Sequence, residues 1–165
     1  MRKLSIVSFL FGVAICQITF AQSKAKENLG SSFPSIAGAY QCMTAKVDGK
    51  WSTAAFTVTE LINKNTGAKV YRMTGEGIDF SAVVGATEEA LEAQSKTVAV
   101  GTLLASAKYN LIPPKKVALQ MVVYSAQKGA IVKILTFDLI PNANKALTML
   151  MTLPTLETQR YNCTQ

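Results

Sequence analysis

From Ile36 onward the chain alternates apolar and polar positions in short runs, with turn residues every ten residues or so. That rhythm predicts many short strands. The first predicted strand, about 36–47, ends at Asp48-Gly49, a hairpin signal because both residues tolerate positive φ. The second, 51–61, puts Ala54, Phe56 and Val58 on one face and Thr53, Thr57 and Thr59 on the other, as in a half-buried antiparallel strand. Residues 63–67 turn the chain into a third strand, 68–74. Gly75-Glu76-Gly77 separates it from a fourth, in which Ile78, Phe80, Ala82 and Val84 share a face.

The pattern changes once. Residues 85–93 predict one short helix after strand four, with Thr87 placed to cap its start and Glu88 and Glu89 at the positive end of its dipole. Strand character resumes over 97–106. Residues 110–116, which include Pro113 and Pro114, read as a stiff connection, because neither proline can donate a ladder hydrogen bond. In the last third, Val117, Leu119, Met121 and Val123 form one face of a strand. Residues 131–140 are apolar on both faces, broken by Lys133 on one and by Thr136 and Asp138 on the other. Leu147, Met149, Met151 and Leu153 line the next strand, and a final one, about 156–163, carries Cys163. Eight or nine strands and one short helix predict an all-β domain: an antiparallel barrel or a closely related sandwich.

The two ends of this pattern echo each other, as Tyr40-Gln41-Cys42 and Tyr161-Asn162-Cys163. A third cysteine, Cys16, lies in a segment of different character. Arg2 and Lys3 precede an apolar run over 4–15, and Thr19-Phe20-Ala21 supplies small residues at a cleavage point. Residues 1–21 therefore read as a secretory signal peptide, whose apolar run is too short to span a bilayer. Cleavage would leave a flexible polar lead-in over 22–35 and a single domain over 36–165, with no transmembrane span. In a chain exported to a periplasm or secreted, the two remaining cysteines predict a Cys42–Cys163 disulfide that ties the first strand to the last.

Composition narrows the chemistry. There is no histidine, so a Ser–His–Asp or Cys–His arrangement cannot be built and the commonest metal ligand is missing. Glu76 and Asp79 flank the glycine break closely enough to suggest paired acids, with a solvated turn as the competing reading. Glu88, Glu89 and Glu92 lack the oxygen-rich loop that calcium needs. Asn162-Cys163-Thr164 formally matches an N-glycosylation acceptor. The formal net charge is +7, but beyond the leader only Lys115 and Lys116 are adjacent basic residues. This is not the concentrated stripe of a nucleic-acid binder. No catalytic residue, metal or cofactor is predicted, and the chain reads as a non-enzyme.

The leading expectation is a binding protein that holds a small apolar ligand in the barrel interior, lined by Tyr40, Phe56, Phe80, Met121, Phe137, Met149 and Met151. The alternative is a structural or protein-interaction module of the cell envelope, such as an inhibitor, adhesin or accessory protein. Its core would be packed, and 131–140 would be covered by a protein partner or a second copy. An outer-membrane barrel fits less well, since 8% aromatic content does not supply interfacial girdles.

Gly38-Ala39-Tyr40, following a short polar lead-in, resembles the opening of calycin-type barrels such as the lipocalins. Those begin with a Gly-x-Trp element and carry a basic residue in the last strand that packs across the aromatic ring. The matching positions are Gly38, Tyr40 and Arg160. The resemblance implies a small secreted β-barrel that carries small apolar molecules in its mouth. The aromatic residue here is tyrosine, and in a regular final strand Arg160 falls on the opposite face to Cys163.

Overall fold

The computed structural model describes residues 29–47, 50–113 and 115–165. The predicted signal segment, most of the lead-in, the Asp48-Gly49 turn and the side chain of Trp51 lie outside the described residues. The chain divides into two units, Met1–Phe33 and Pro34–Gln165. Of the first, residues 29–31 are helical and Ser32 Oγ donates to the Leu29 carbonyl.

The second unit is a closed barrel of nine strands in sequence order. They are β1 (Gly38–Val47), β2 (Lys50–Ile62), β3 (Lys69–Gly75), β4 (Ile78–Val84), β5 (Leu103–Ile112), β6 (Lys116–Gln127), β7 (Ala130–Pro141), β8 (Leu147–Thr152) and β9 (Thr158–Thr164), with one helix, α1 (Glu88–Ser95), between β4 and β5. Nine strands cannot alternate direction all the way round a closed ring; at least one neighbouring pair must run parallel. That pair is β4–β5, with Ala82 opposite Ala105. A parallel pair needs a long crossover, usually helical, and residues 85–102 supply it. The expected short helix after strand four thus resolves the strand parity. Thr87 caps it, its Oγ1 accepting from the Ala90 amide at 3.3 Å.

Two expectations are corrected. Residues 97–102 are turn rather than strand. Residues 110–112, read as a stiff connection, belong to β5, where Asn110 pairs with Ala118 and Ile112 with Lys116. Pro113 lies in the turn that follows, and Pro114 lies outside the described residues. Apolar residues at 103–105 and paired positions up to 112 outweigh the turn propensity of Asn110.

Inward-facing side chains fill most of the barrel. Tyr71, Met73, Leu119, Met121, Phe137 and Leu139 are all fully buried, and Phe80 stacks on Phe137 with ring centroids 5.9 Å apart. A second, smaller cluster lies outside the barrel wall, where Leu91 of α1 meets Leu104, Tyr124 and Ala126.

The ring closes where β1 meets β9. Cys42 lies directly opposite Cys163, their Cα atoms 4.0 Å apart, and the two are joined by a disulfide across 121 positions of sequence. The residues are 1% and 2% exposed, so the bond lies on the inner face of the seam. Below it, Tyr40 OH donates to the Ile36 carbonyl at 2.9 Å. Gln165 Nε2 donates to Tyr40 OH at 2.9 Å and to the Ala37 carbonyl at 3.1 Å. A Cβ at position 38 would collide with the Gln165 side chain, so Gly38 is what lets that amide lie across the strand. Arg160 is exposed on the outer face, away from Tyr40.

Replacing both Cys42 and Cys163 by alanine is expected to cost about 2–5 kcal/mol in urea unfolding, and peptide mapping without reductant should recover the two cysteines as one linked species. Gly75→Ala should cost about 1–3 kcal/mol by the same measurement, because its Cβ would lie 2.6 Å from the Ala55 carbonyl oxygen on the neighbouring strand.

Candidate functional site

The strand directions give the barrel an upper end, carrying the β1–β2, β3–β4, β6–β7 and β8–β9 turns, and a lower end. At the upper end the packed interior opens into a cavity of about 310 Å³. Its apolar walls come from Phe56 on β2, Met73 on β3, Phe137 on β7 and Met149 and Met151 on β8, with Tyr161 of β9 beside them. Register explains the convergence: Phe137 lies opposite Met151, and Met149 opposite Tyr161. Glu76, in the β3–β4 turn, is the charged member of the lining among the described residues.

Four of the seven expected ligand residues, Phe56, Phe137, Met149 and Met151, therefore meet at one cavity. The other three do not join them. Phe80 and Met121 are buried in the packed interior. Tyr40 stacks on Phe56 at 5.4 Å but points to the lower end. There it borders a cavity of about 410 Å³ with Ser35, Asn142, Lys145 and Gln165. Pro34, Ile36, Ala37, Pro141 and Ala146 complete its lining, and hydrogen bonds latch this end. Glu60 Oε1 accepts from the Ile36 amide at 2.7 Å and from Ser35 Oγ at 3.0 Å. Tyr71 and Tyr109 share a hydroxyl hydrogen bond of 3.0 Å, and burial together with that bond pushes the Tyr71 phenol far above its ordinary range.

Glu76 borders the mouth cavity, whereas Asp79 is engaged elsewhere. Asp79 is held on the outer face by Arg72 through two hydrogen bonds of 3.1 Å, which keep its carboxyl below the usual range. Among the described residues no group of three metal-ligating side chains comes together. Asn162 is exposed on β9 between its two neighbouring strands.

A third concavity, about 410 Å³, lies on the outer wall, between the start of α1 and strands β5 to β7. Sequence periodicity did not foresee it. Lys108, Gln120 and Asp138 occupy one cross-strand row of the outer face, and Gln120 Nε2 donates to Asp138 Oδ1 at 2.9 Å. A β-bulge between Val123 and Tyr124 pairs Tyr124 with Lys133 and Val123 with Leu135. The irregularity turns Lys133 onto the same outer face as Asp138, correcting the expectation from strict alternation that they lie on opposite faces. Tyr124 OH donates to Glu88 Oε1 at 2.7 Å, pinning the first turn of α1 to the barrel.

Two groups here titrate away from their ordinary values. Burial, reinforced by the Glu88 carboxylate, pushes the Tyr124 phenol up to about 12. Burial also raises the Asp138 carboxyl, against the opposing pull of Gln120, Lys108 and Lys133. The neutral phenol is thus favoured by folding; its contribution is whole below about pH 10 and is lost as pH rises through about 12. For Asp138 the neutral acid is favoured, so ionisation erodes stability as pH climbs from below the ordinary carboxyl range to above the raised one.

Ultraviolet titration should find one tyrosine ionising near 12, and Glu88→Gln should lower that midpoint. Asp138→Asn should match or exceed the parent in urea stability at pH 7, with the advantage disappearing by about pH 3, below both carboxyl titrations.

The chain matches no family model, no curated protein and no solved structure.

Proposed function

We propose that this chain is an exported, non-enzymatic binding protein that holds a small apolar ligand at the upper mouth of its barrel. The observation that carries this reading is the convergence of Phe56, Phe137, Met149 and Met151 on a cavity of about 310 Å³, at the lower limit of the usual range for small-molecule sites. The unbranched methionine side chains adapt to irregular ligands, and the packed floor below confines the ligand to the mouth. Export is supported by the leader-like character of residues 1–21 and by a disulfide, which suits an oxidising compartment.

A second reading, a protein-interaction module, is favoured by the upper half of β7. Residues 130–135 have no partner on the β8 side among the described residues, since β7–β8 pairing begins at Thr136. Val132 within them is 52% exposed. Such an edge can take another strand, although Lys133 is the kind of residue that discourages this.

An apolar fluorophore titrated into the oxidised protein should bind saturably with 1:1 stoichiometry, and Met151→Glu, at the cavity wall, should weaken it at least tenfold. Non-saturable binding, or a variant that binds as well as the parent, would remove the ligand reading. Sedimentation that shows self-association abolished by Val132→Glu would favour the second.

A further inference from the structure

The outer groove is separate from the mouth cavity: it is walled by α1 and the outer faces of β5, β6 and β7, and the two share no lining residue. Its charges are arranged unevenly. The two acids near it are satisfied by neutral donors: Glu88 by the Tyr124 hydroxyl at 2.7 Å, Asp138 by the Gln120 amide at 2.9 Å. The two bases are not committed. Lys108 from β5 and Lys133 from β7 both line the groove, and both act on Asp138 through space. Yet neither comes within ion-pair distance of a carboxylate; the ion pair among the described residues is Arg72 with Asp79.

The remaining walls suit a polar molecule with a small apolar part. Ser106 lines the groove with its hydroxyl engaged by the Tyr124 phenol, while Ala86, Ala107 and Val122 supply apolar surface. Across the sheet from Val122 lies Thr136. It is 6% exposed, and its hydroxyl is buried without a hydrogen-bond partner, an uncommon state for a buried polar group. The groove is partly enclosed, which strengthens a charge–charge contact relative to open water. An ammonium is a compact point charge well suited to oxyanions.

We propose that this groove is a binding site for a small organic oxyanion, a carboxylate or phosphate ester, received between Lys108 and Lys133 beneath the start of α1. The ligand's charged oxygens meet the two ammonium groups, and its apolar portion lies on Val122. The bulge that turns Lys133 outward is what completes the site; without it Lys133 would sit on the other face of β7 and Lys108 would stand alone.

The test is a titration of the isotope-labelled, oxidised protein with succinate and, separately, with glycerol phosphate at physiological salt, followed by amide chemical shifts. Saturable shifts are expected at Ala86, Ser106, Lys108, Gln120 and Lys133 for at least one probe, and the probe that saturates at lower concentration identifies the oxyanion class. The double substitution K108Q/K133Q should weaken binding at least tenfold, whereas K64Q/K69Q, a pair outside the groove, should leave it unchanged. Asp138→Asn, which removes a negative charge beside the two lysines, should tighten binding severalfold. The proposal is overturned if neither probe saturates, if shifts spread evenly over all surface lysines, or if K108Q/K133Q binds like the parent. Should the double variant disturb the fold, seen as lost amide dispersion, the Asp138→Asn result decides alone: unchanged or weaker binding rejects the site. Mouth-cavity occupancy by the apolar fluorophore is measured on the same samples, so failure here leaves that reading standing and the converse also holds.

Discussion

Closing the ring at β1 and β9 is the constraint on which the rest depends. Eight of the nine seams join strands that follow one another in sequence, so a turn or the crossover holds their ends close. The ninth must bring together positions 121 residues apart, and loop closure over such a length is entropically costly. Its ladder is also short, four residue pairs against ten for β5–β6. Hydrogen bonding alone gives this seam little to work with. A covalent bond at Cys42–Cys163 removes much of the closure entropy from the unfolded chain, worth about 4–5 kcal/mol for loops near this size against a total stability of about 5–15 kcal/mol. The Tyr40–Gln165 bonds below it then fasten the lower end of the same seam.

Closure with an odd number of strands has a second consequence. One pair must be parallel, the parallel pair requires a crossover, and the crossover lays α1 against the outer wall. The apolar cluster around Leu91 and Leu104 fixes it there, and the Glu88–Tyr124 bond sets its first turn. The outer groove is therefore a by-product of topology: the helix supplies one wall and three strands the other. Its polar lining differs from the barrel interior because outward positions in these strands were free to be charged.

Inside, the barrel is divided by depth. The middle is filled by buried side chains, among them Met73, Leu119 and Met121, with Phe80 stacked on Phe137. The lower end is fastened by the Glu60 latch and the tyrosine hydroxyls and keeps its own cavity beside Tyr40. The upper end keeps the cavity on which Phe56, Phe137, Met149 and Met151 converge, beside the polar Gln41, Thr53 and Glu76. A barrel of this size has an interior just wide enough for its own side chains or one small ligand. Here it does the first over most of its length, leaving room for the second at one mouth.

Much of this was written in period-two alternation. The Phe56 face of β2, the Phe80 face of β4 and the Met149 face of β8 could be read because each strand has one wet and one dry side, and no distant contact is needed to see that. The seam disulfide was legible from two cysteines at the ends of the strand pattern, and the helix from its cap and first-turn acids. What alternation cannot supply is register and depth. Phe80 and Phe137 both face inward and stack on each other, yet only inter-strand register decides that Phe137 lines the mouth cavity and Phe80 does not. Nor can alternation see a bulge, since one displaced residue inverts the facing of everything beyond it on that strand; Lys133 changed sides for that reason. The amino-acid order thus determined the inward faces of the regular strands, a pattern of eight or nine strands with one helix, and where the ends are tied. The parallel pair, the cavities at the two ends and the placing of Lys108 and Lys133 on one groove were decided by the closed ring, because each depends on residues that only inter-strand register brings together.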